Sequence, residues 1–158
     1  MERPMDKMFE AVSSPETKRI HLLDVENLVG AGLLTESQVH ELCYDYVKCT
    51  QCESEDLFLV AAGPQNRFAA VNGWSFGHSL YKFKKGKDGA DQALVYLFEQ
   101  IEHPEKYSEI YLATGDGGLV SIAETAKRLG IDLTVVSGKG KVSNEYRGYK
   151  HIKLSVKN

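Results

Sequence analysis

No stretch of this 158-residue chain is long and apolar enough to span a bilayer. The opening residues, MERPMDKMFEAVSSPETKR, hold no apolar segment of the kind a secretory leader needs, so the expected address is cytoplasmic. There is no internal repeat and no low-complexity tract. A dinucleotide-binding G-x-G-x-x-G at a helix start is missing: GKGKVSNEYRG has glycines but follows a late strand, and GAG at 30–32 is too short. Cysteine is scarce and odd in number, three in all, which argues against a disulfide framework. With His40, the residues Cys43, Cys49 and Cys52 spell H-x2-C-x5-C-x2-C. This inventory would suffice for tetrahedral zinc, but the spacing matches no standard finger. His40 and Cys43 share a helical face, whereas Cys49 and Cys52 are expected in a loop. Reduced, structurally placed cysteines are the expected state and zinc the alternative.

The length fits one domain able to bury a core without staples, and the apolar and charged fractions, 42% and 26%, are those of a globular protein. The net charge of −3 does not announce a nucleic-acid binder, but its distribution is uneven. Residues 1–80 carry 6 Lys and Arg against 12 Asp and Glu, and residues 81–158 carry 13 against 10. The basic excess includes Lys82, Lys84, Lys85 and Lys87 in YKFKKGK, and Lys139 and Lys141 in GKGK. Local lysine clusters attract phosphates even on an acidic protein; solvated loop lysines are the plainer reading.

Strand and helix patterns alternate along the chain. After a polar arm over residues 1–17, RIHLLDV reads as a buried strand, and LLTESQVHELCYDYVKC as an amphipathic helix. Thr35 and Gln38 have capping-box spacing at its start. DLFLVAAG is a second buried strand; PQNRFAAVNGW is ambiguous and short; HSLYKF alternates as an edge strand would. GADQALVYLFEQIEH is a helix with Ala93, Leu94, Leu97, Phe98 and Ile101 on one face, ended by Pro104. EIYLATG, a helix closed by Gly130, IDLTVVSG and a sixth candidate, YKHIKLS, complete the order. The expected fold is a three-layer α/β/α sandwich, one domain over residues 18–158, with a mainly parallel five- or six-stranded sheet.

In such a sheet the carboxyl ends of the strands share one edge, where ligands gather. Asp24 ends the first strand, Asp116 in LATGDGG ends the fourth, and Asp88 and Asp91 in GKDGADQAL open the central helix. Each could be a local cap for a turn or helix start. Together they would form an acidic pocket of like charges, which a fold sustains most readily around a cation. Carboxylates suit Mg2+ or Mn2+, which can activate water and stabilise a phosphodiester under attack. Asn27 and Thr114 offer an amide and a hydroxyl nearby, and Gly115, Gly117 and Gly118 allow close backbone approach.

The ordered set LLDVENL, GKDGADQAL and LATGDGGLV resembles the NYN and related PIN-like ribonuclease domains, over about residues 18 to 137. The GPQN loop after the second strand is similar to one found in some members. The resemblance implies a metal-dependent nuclease acting on RNA, single-stranded by expectation, and leaving a 5′-phosphate. It implies metal-binding roles for Asp24, Asp91 and Asp116, a pocket position for Asn27 and a supporting one for Thr114. Glu26 carries over less firmly, and Asp88 is an extra acid. Two positions depart from the pattern. Gly118, Leu119 and Val120 stand where many members have a further aspartate, and Leu97 stands where many have a second acid on the central helix, with Glu99 pointing elsewhere. A catalytically weak or inactive PIN-like module that binds RNA or protein is therefore the alternative. A haloacid-dehalogenase-like phosphatase is a second, although Glu26 replaces its usual second aspartate. Trp74, Phe76 and Tyr81 are candidates for base stacking or for the core. Homo-oligomer or regulatory protein partner stays undecided by sequence.

The lysine reading predicts that Lys84→Glu with Lys85→Glu weakens binding of single-stranded RNA. The slope of log affinity against log salt should flatten by about 0.7 per lost phosphate contact, read from a salt titration.

Overall fold

The computed structural model describes residues 18–139 and 142–155. The expected polar arm, residues 1–17, and Lys141 lie outside the described residues. The strands are β1 (Arg19–Asp24), β2 (Leu57–Ala62), β3 (His78–Phe83), β4 (Glu109–Ala113), β5 (Asp132–Ser137) and β6 (Lys150–Lys153). The helices are α1 (Val25–Val29), α2 (Glu36–Thr50), α3 (Arg67–Gly73), α4 (Gly89–Glu99) and α5 (Val120–Leu129).

Among the described residues the strands form one six-stranded sheet in the order β3-β2-β1-β4-β5-β6, and every pairing is parallel. Parallel strands need crossovers on the sheet faces, and strands so covered read as continuous apolar runs. β2 is buried at every position, and β1 and β4 are buried beyond their first residue. The alternating β3 lies at one edge, as the sequence led one to expect, and β6 lies at the other.

Each face has its own core. On one, Leu22, Leu59 and Leu112 of the sheet pack with Leu94 and Leu97 of α4 and Ile122 of α5. On the other, Leu23, Phe58 and Val60 pack with Leu28 of α1, Val39 and Tyr46 of α2, and Ala70 of α3. Burying each such large side chain contributes roughly 1.5–3 kcal/mol. The architecture is thus a three-layer α/β/α sandwich.

Local signals set several boundaries. Thr35 and Gln38 form the capping box expected of them, and Gly130 closes α5 in the left-handed conformation at φ 72°. Other expectations fail. After β1 the chain turns at once into α1, a helix absent from the expected order because its five residues are too few to show a period. α2 runs through Thr50, so Cys49 is in its last turn rather than in a loop, and only Cys52 follows it. α4 stops at Glu99, well before Pro104. For Trp74 the sequence left base stacking and core both open; it is fully buried against Tyr46 and Phe58, which decides for the core. The Tyr81 hydroxyl donates to the Trp74 carbonyl, which makes Tyr81 an anchor of the same corner.

A polar network crosses the second core near the amino ends of the strands. His21 lies flat between Phe58 and Tyr111, with ring centroids 4.6 and 4.8 Å away. Its Nε2 meets Asp56 Oδ2 at 2.9 Å and its Nδ1 meets the Tyr46 hydroxyl at 2.6 Å. An ionised Asp56 only accepts, so Nε2–H donates to it and the Tyr46 O–H donates to Nδ1. Burial lowers the proton affinity of His21 below the usual imidazole range, against the pull of Asp56, and keeps the ring neutral. Asp56 also accepts from the amides of Arg19 and Glu53, joining β1 to the loop before β2.

Asp56→Ala would strand those buried donors. It should destabilise the protein by about 3 kcal/mol and lower the thermal midpoint by roughly 10 °C in a calorimetric scan.

Candidate metal and phosphate site

At β1 and β4 the strand order reverses, so the chain leaves these neighbours toward opposite ends of the sheet and opens a crevice at their carboxyl ends. The register pairs Leu23 with Ala113, which sets Asp24 alongside Thr114. One side chain bridges the crevice: Asn27 Oδ1 accepts from the Gly115 amide at 2.8 Å. Thr114, fully buried, accepts the Asp116 amide on its hydroxyl at 3.1 Å.

Asp24, Asp91 and Asp116 lie at this edge near enough to act on one another's charge, although among the described residues no three acids are gathered as a ready metal-binding group. Asp24 is 6% exposed and caps α1, one oxygen accepting the Asn27 amide. Asp116 is exposed and caps the turn Gly117–Leu119 by accepting from the Gly118 amide. The capping explanation therefore holds for these two, but each has a second carboxylate oxygen to offer. It fails for Asp88, which precedes α4 without a side-chain capping bond. It fails most clearly for Asp91, in the first turn of α4. Asp91 is 7% exposed, and its buried Oδ1 has no hydrogen-bond partner among the described residues. Its Oδ2 lies against Gly118, where any side chain would collide with it. The glycine standing where a further aspartate was sought is thus what lets the Asp116 turn close on Asp91.

Proximity has an electrostatic consequence. The Asp91 carboxyl is pushed up to about 7, first by burial and then by Asp116, Asp24 and Asp88. Asp24 is pushed up to about 6, first by burial, with Glu26 and Asp116 adding to it while the Asn27 amide opposes. Both groups are held where their charge is unwelcome.

Other expected residues are engaged by further partners. Glu26 directs its carboxylate to the turn after β2, accepting from the Gly63 amide at 2.9 Å and from the Asn66 amide group. Asn66 is buried and also holds Leu34 and Gly32, so this pair fastens α1 to the β2–α3 turn. Gly117 lies under the loop after β5, where a Cβ would come 2.9 Å from Glu145 Oε2. Glu145 is thus an acid at the site that the sequence reading passed over, since it lies far along the chain in a segment without a motif. That loop is fixed by Ser143, whose amide donates to the Gly115 carbonyl, and by the Tyr146 hydroxyl, which donates to the Asp116 carbonyl.

Lys84, Lys85 and Lys87 are exposed between β3 and α4. Lys82, at the end of β3, places its ammonium 4.4 Å from the centre of the Tyr96 ring. Lys139 is exposed beyond β5, its amide bonded to the Leu28 carbonyl. All follow the carboxyl ends of parallel strands and so share the edge with the acids. From that edge an open pocket of about 520 Å3 runs along α4, lined by Asp88, Asp91, Gln92, Val95, Tyr96, Glu99, Asp116 and Gly118. Glu99 therefore does face this pocket, contrary to expectation, while Leu97 is core. At 1.5 Å per residue Glu99 is about 12 Å along the helix from Asp91, at the far end.

Among the described residues no three His, Cys, Asp or Glu side chains are gathered as a ready metal-binding group. For the zinc alternative this means that His40, Cys43, Cys49 and Cys52 form no assembled set; the cysteines are free, with Cys43 and Cys52 buried. For a hard cation the requirement is looser. Mg2+ commonly keeps several waters and takes one or two carboxylates plus substrate phosphate. The unpartnered Asp91 Oδ1, with Asp24 and Asp116 near enough to repel it, is a donor set of that chemistry. Comparison of the chain with family profiles, curated proteins and solved structures gives no match. Among the described residues no helix is long and apolar enough to cross a membrane.

Because Asp91 titrates higher folded than unfolded, its ionisation opposes folding as pH rises from about 4 through about 7. Asp91→Asn should therefore raise the thermal midpoint at pH 8 by a few degrees, with the difference vanishing below pH 4. Thermal scans of both proteins across that range check this.

Proposed function

We propose that the chain is a divalent-metal-dependent ribonuclease that hydrolyses phosphodiester bonds of RNA at the crevice between β1 and β4. The observation that carries the reading is Asp91: a carboxylate buried in the first turn of α4 with an oxygen left unpartnered, beside two more acids. A bound cation would complete such a group, and perturbed carboxylates gather at functional sites. The resemblance to NYN and PIN-like domains supports the same chemistry, and site geometry supports it independently of fold, which many functions share.

In this reading Asp24 and Asp91 supply carboxylate oxygens to Mg2+ or Mn2+, and Asp116 reaches the ion directly or through water. When bound, the ion lowers the pKa of the attacking water and offsets charge on the phosphoryl oxygens. Asn27 holds the β4 exit at a fixed distance from β1 through the Gly115 amide. Thr114 orients the Asp116 backbone. Lys84, Lys85 and Lys87 on one flank and Lys139 on the other attract the phosphates of a single strand into the acidic mouth.

The module that binds RNA without cutting draws support from the lack of a ready trio of ligands. The phosphatase reading requires Glu26 as a free acid, and its carboxylate is taken up by Gly63 and Asn66.

Purified protein with Mn2+ should cut a labelled single-stranded RNA, with 5′-phosphate on the downstream product, and chelation should stop it. Asp91→Asn and Asp116→Asn should each lower the rate on the order of 100-fold in a single-turnover assay. Binding without cutting, across Mg2+ and Mn2+, would favour the non-catalytic module.

A further inference from the structure

The pocket along α4 extends well beyond the acids that a phosphodiester needs. Asp91, Gln92, Val95, Tyr96 and Glu99 line it, spaced as one face of a helix. Tyr96 is 47% exposed, and the Lys82 ammonium stands 4.4 Å from its centre. The ring is flat, half open to the groove, and has a cation against it. One turn further, Glu99 closes the groove with an exposed carboxylate. The volume of about 520 Å3 lies in the range of small-ligand sites.

We infer that this groove is a base-binding subsite that selects guanine, with Tyr96 as the stacking platform and Glu99 as the reader of the base edge. The inference rests on the ribonuclease reading for the direction in which a strand enters. The scissile phosphate sits at the Asp91 end, and the adjoining nucleotide lies along α4 toward Glu99. The distance of about 12 Å between those residues is of the order of the reach from a phosphate to the far edge of its base. A face of any base can stack on Tyr96, which gives affinity without choice. Choice comes from Glu99. An ionised carboxylate only accepts, through two oxygens side by side. Guanine alone among the four bases presents two adjacent N–H donors on its pairing edge, at N1 and N2, and so matches both oxygens. Adenine and cytosine offer one amino group beside a ring acceptor. Uracil offers one imino group between two carbonyls that the carboxylate repels. The Lys82 ammonium covers one face of the Tyr96 ring, so the base stacks on the other.

The test has two independent arms. In the first, the whole chain in Mg2+ is titrated calorimetrically with each of the four nucleoside 5′-monophosphates. GMP should bind at least about 10-fold more tightly than UMP, the discrimination expected of a bidentate pair. Glu99→Gln should bring GMP to the level of AMP. Tyr96→Ala should weaken all four by about 10-fold while Tyr96→Phe keeps them. Tyr44→Ala, exposed on α2 across the sheet, should change none. These side chains are exposed, and circular dichroism verifies that each variant is folded. In the second arm, a single-stranded RNA with one guanosine among uridines is incubated with Mn2+, and cutting should concentrate beside the guanosine. Equal affinities for the four nucleotides, or a guanine preference that survives Glu99→Gln, overturns the subsite. Cutting with no base preference removes the subsite and leaves the ribonuclease. Guanine binding with no cutting does the reverse.

Discussion

The parallel pairing of β1 with β4 is the constraint on which the acidic crevice depends. Because both strands point the same way and Leu23 is level with Ala113, their exits open side by side. Because the strand order reverses there, the following segments diverge and leave space between them. The Asn27 side chain spans that space and fixes its width through the Gly115 amide. Asp24 and Asp116 are then neighbours by construction, and α4, which begins after β3 at the same edge, brings Asp91 to them. Gly118 permits the final approach.

The molecule separates where it is stable from where it is strained electrostatically. Toward the amino ends of the strands, His21, Tyr46, Asp56 and Arg19 form a satisfied network inside an aromatic stack. Toward the carboxyl ends, Asp24 and Asp91 are desolvated and repel each other, with one oxygen unsatisfied. A core that covers both faces of the sheet lets the second arrangement persist, a division common where function opposes stability.

The apolar runs of β1, β2, β4 and β5 were legible because strands buried on both faces must be apolar throughout. The Thr35–Gln38 box was legible because capping is local chemistry. Asp24, Asp91 and Asp116 could be picked out because strand polarity alone sends them to one edge. What stayed hidden depends on non-local geometry. Strand order leaves no local mark, so the switch point between β1 and β4 was not readable. Trp74 in a Gly- and Ser-flanked stretch could be read as a base-stacking or a core residue, and only the packing of Phe58 and Tyr46 around it decides. Glu26 sits in the same acidic run as Asp24, but Asn66, far along the chain, claims its carboxylate. Glu145 and Tyr96 carry no motif, and only packing brings them to the site. The pairing of His21 with Asp56 was not legible, because it spans 35 positions.

The central claim is that Asp24, Asp91 and Asp116 meet around one divalent ion at the β1–β4 crevice. A crystal of the protein soaked in Mn2+ and measured at the manganese absorption edge tests it most directly. The account predicts one anomalous peak in the crevice, bonded to Asp91 Oδ1 and to at least one of the other two carboxylates, directly or through water. A crevice with no peak at saturating Mn2+, or a peak held by acids elsewhere on the chain, would contradict it.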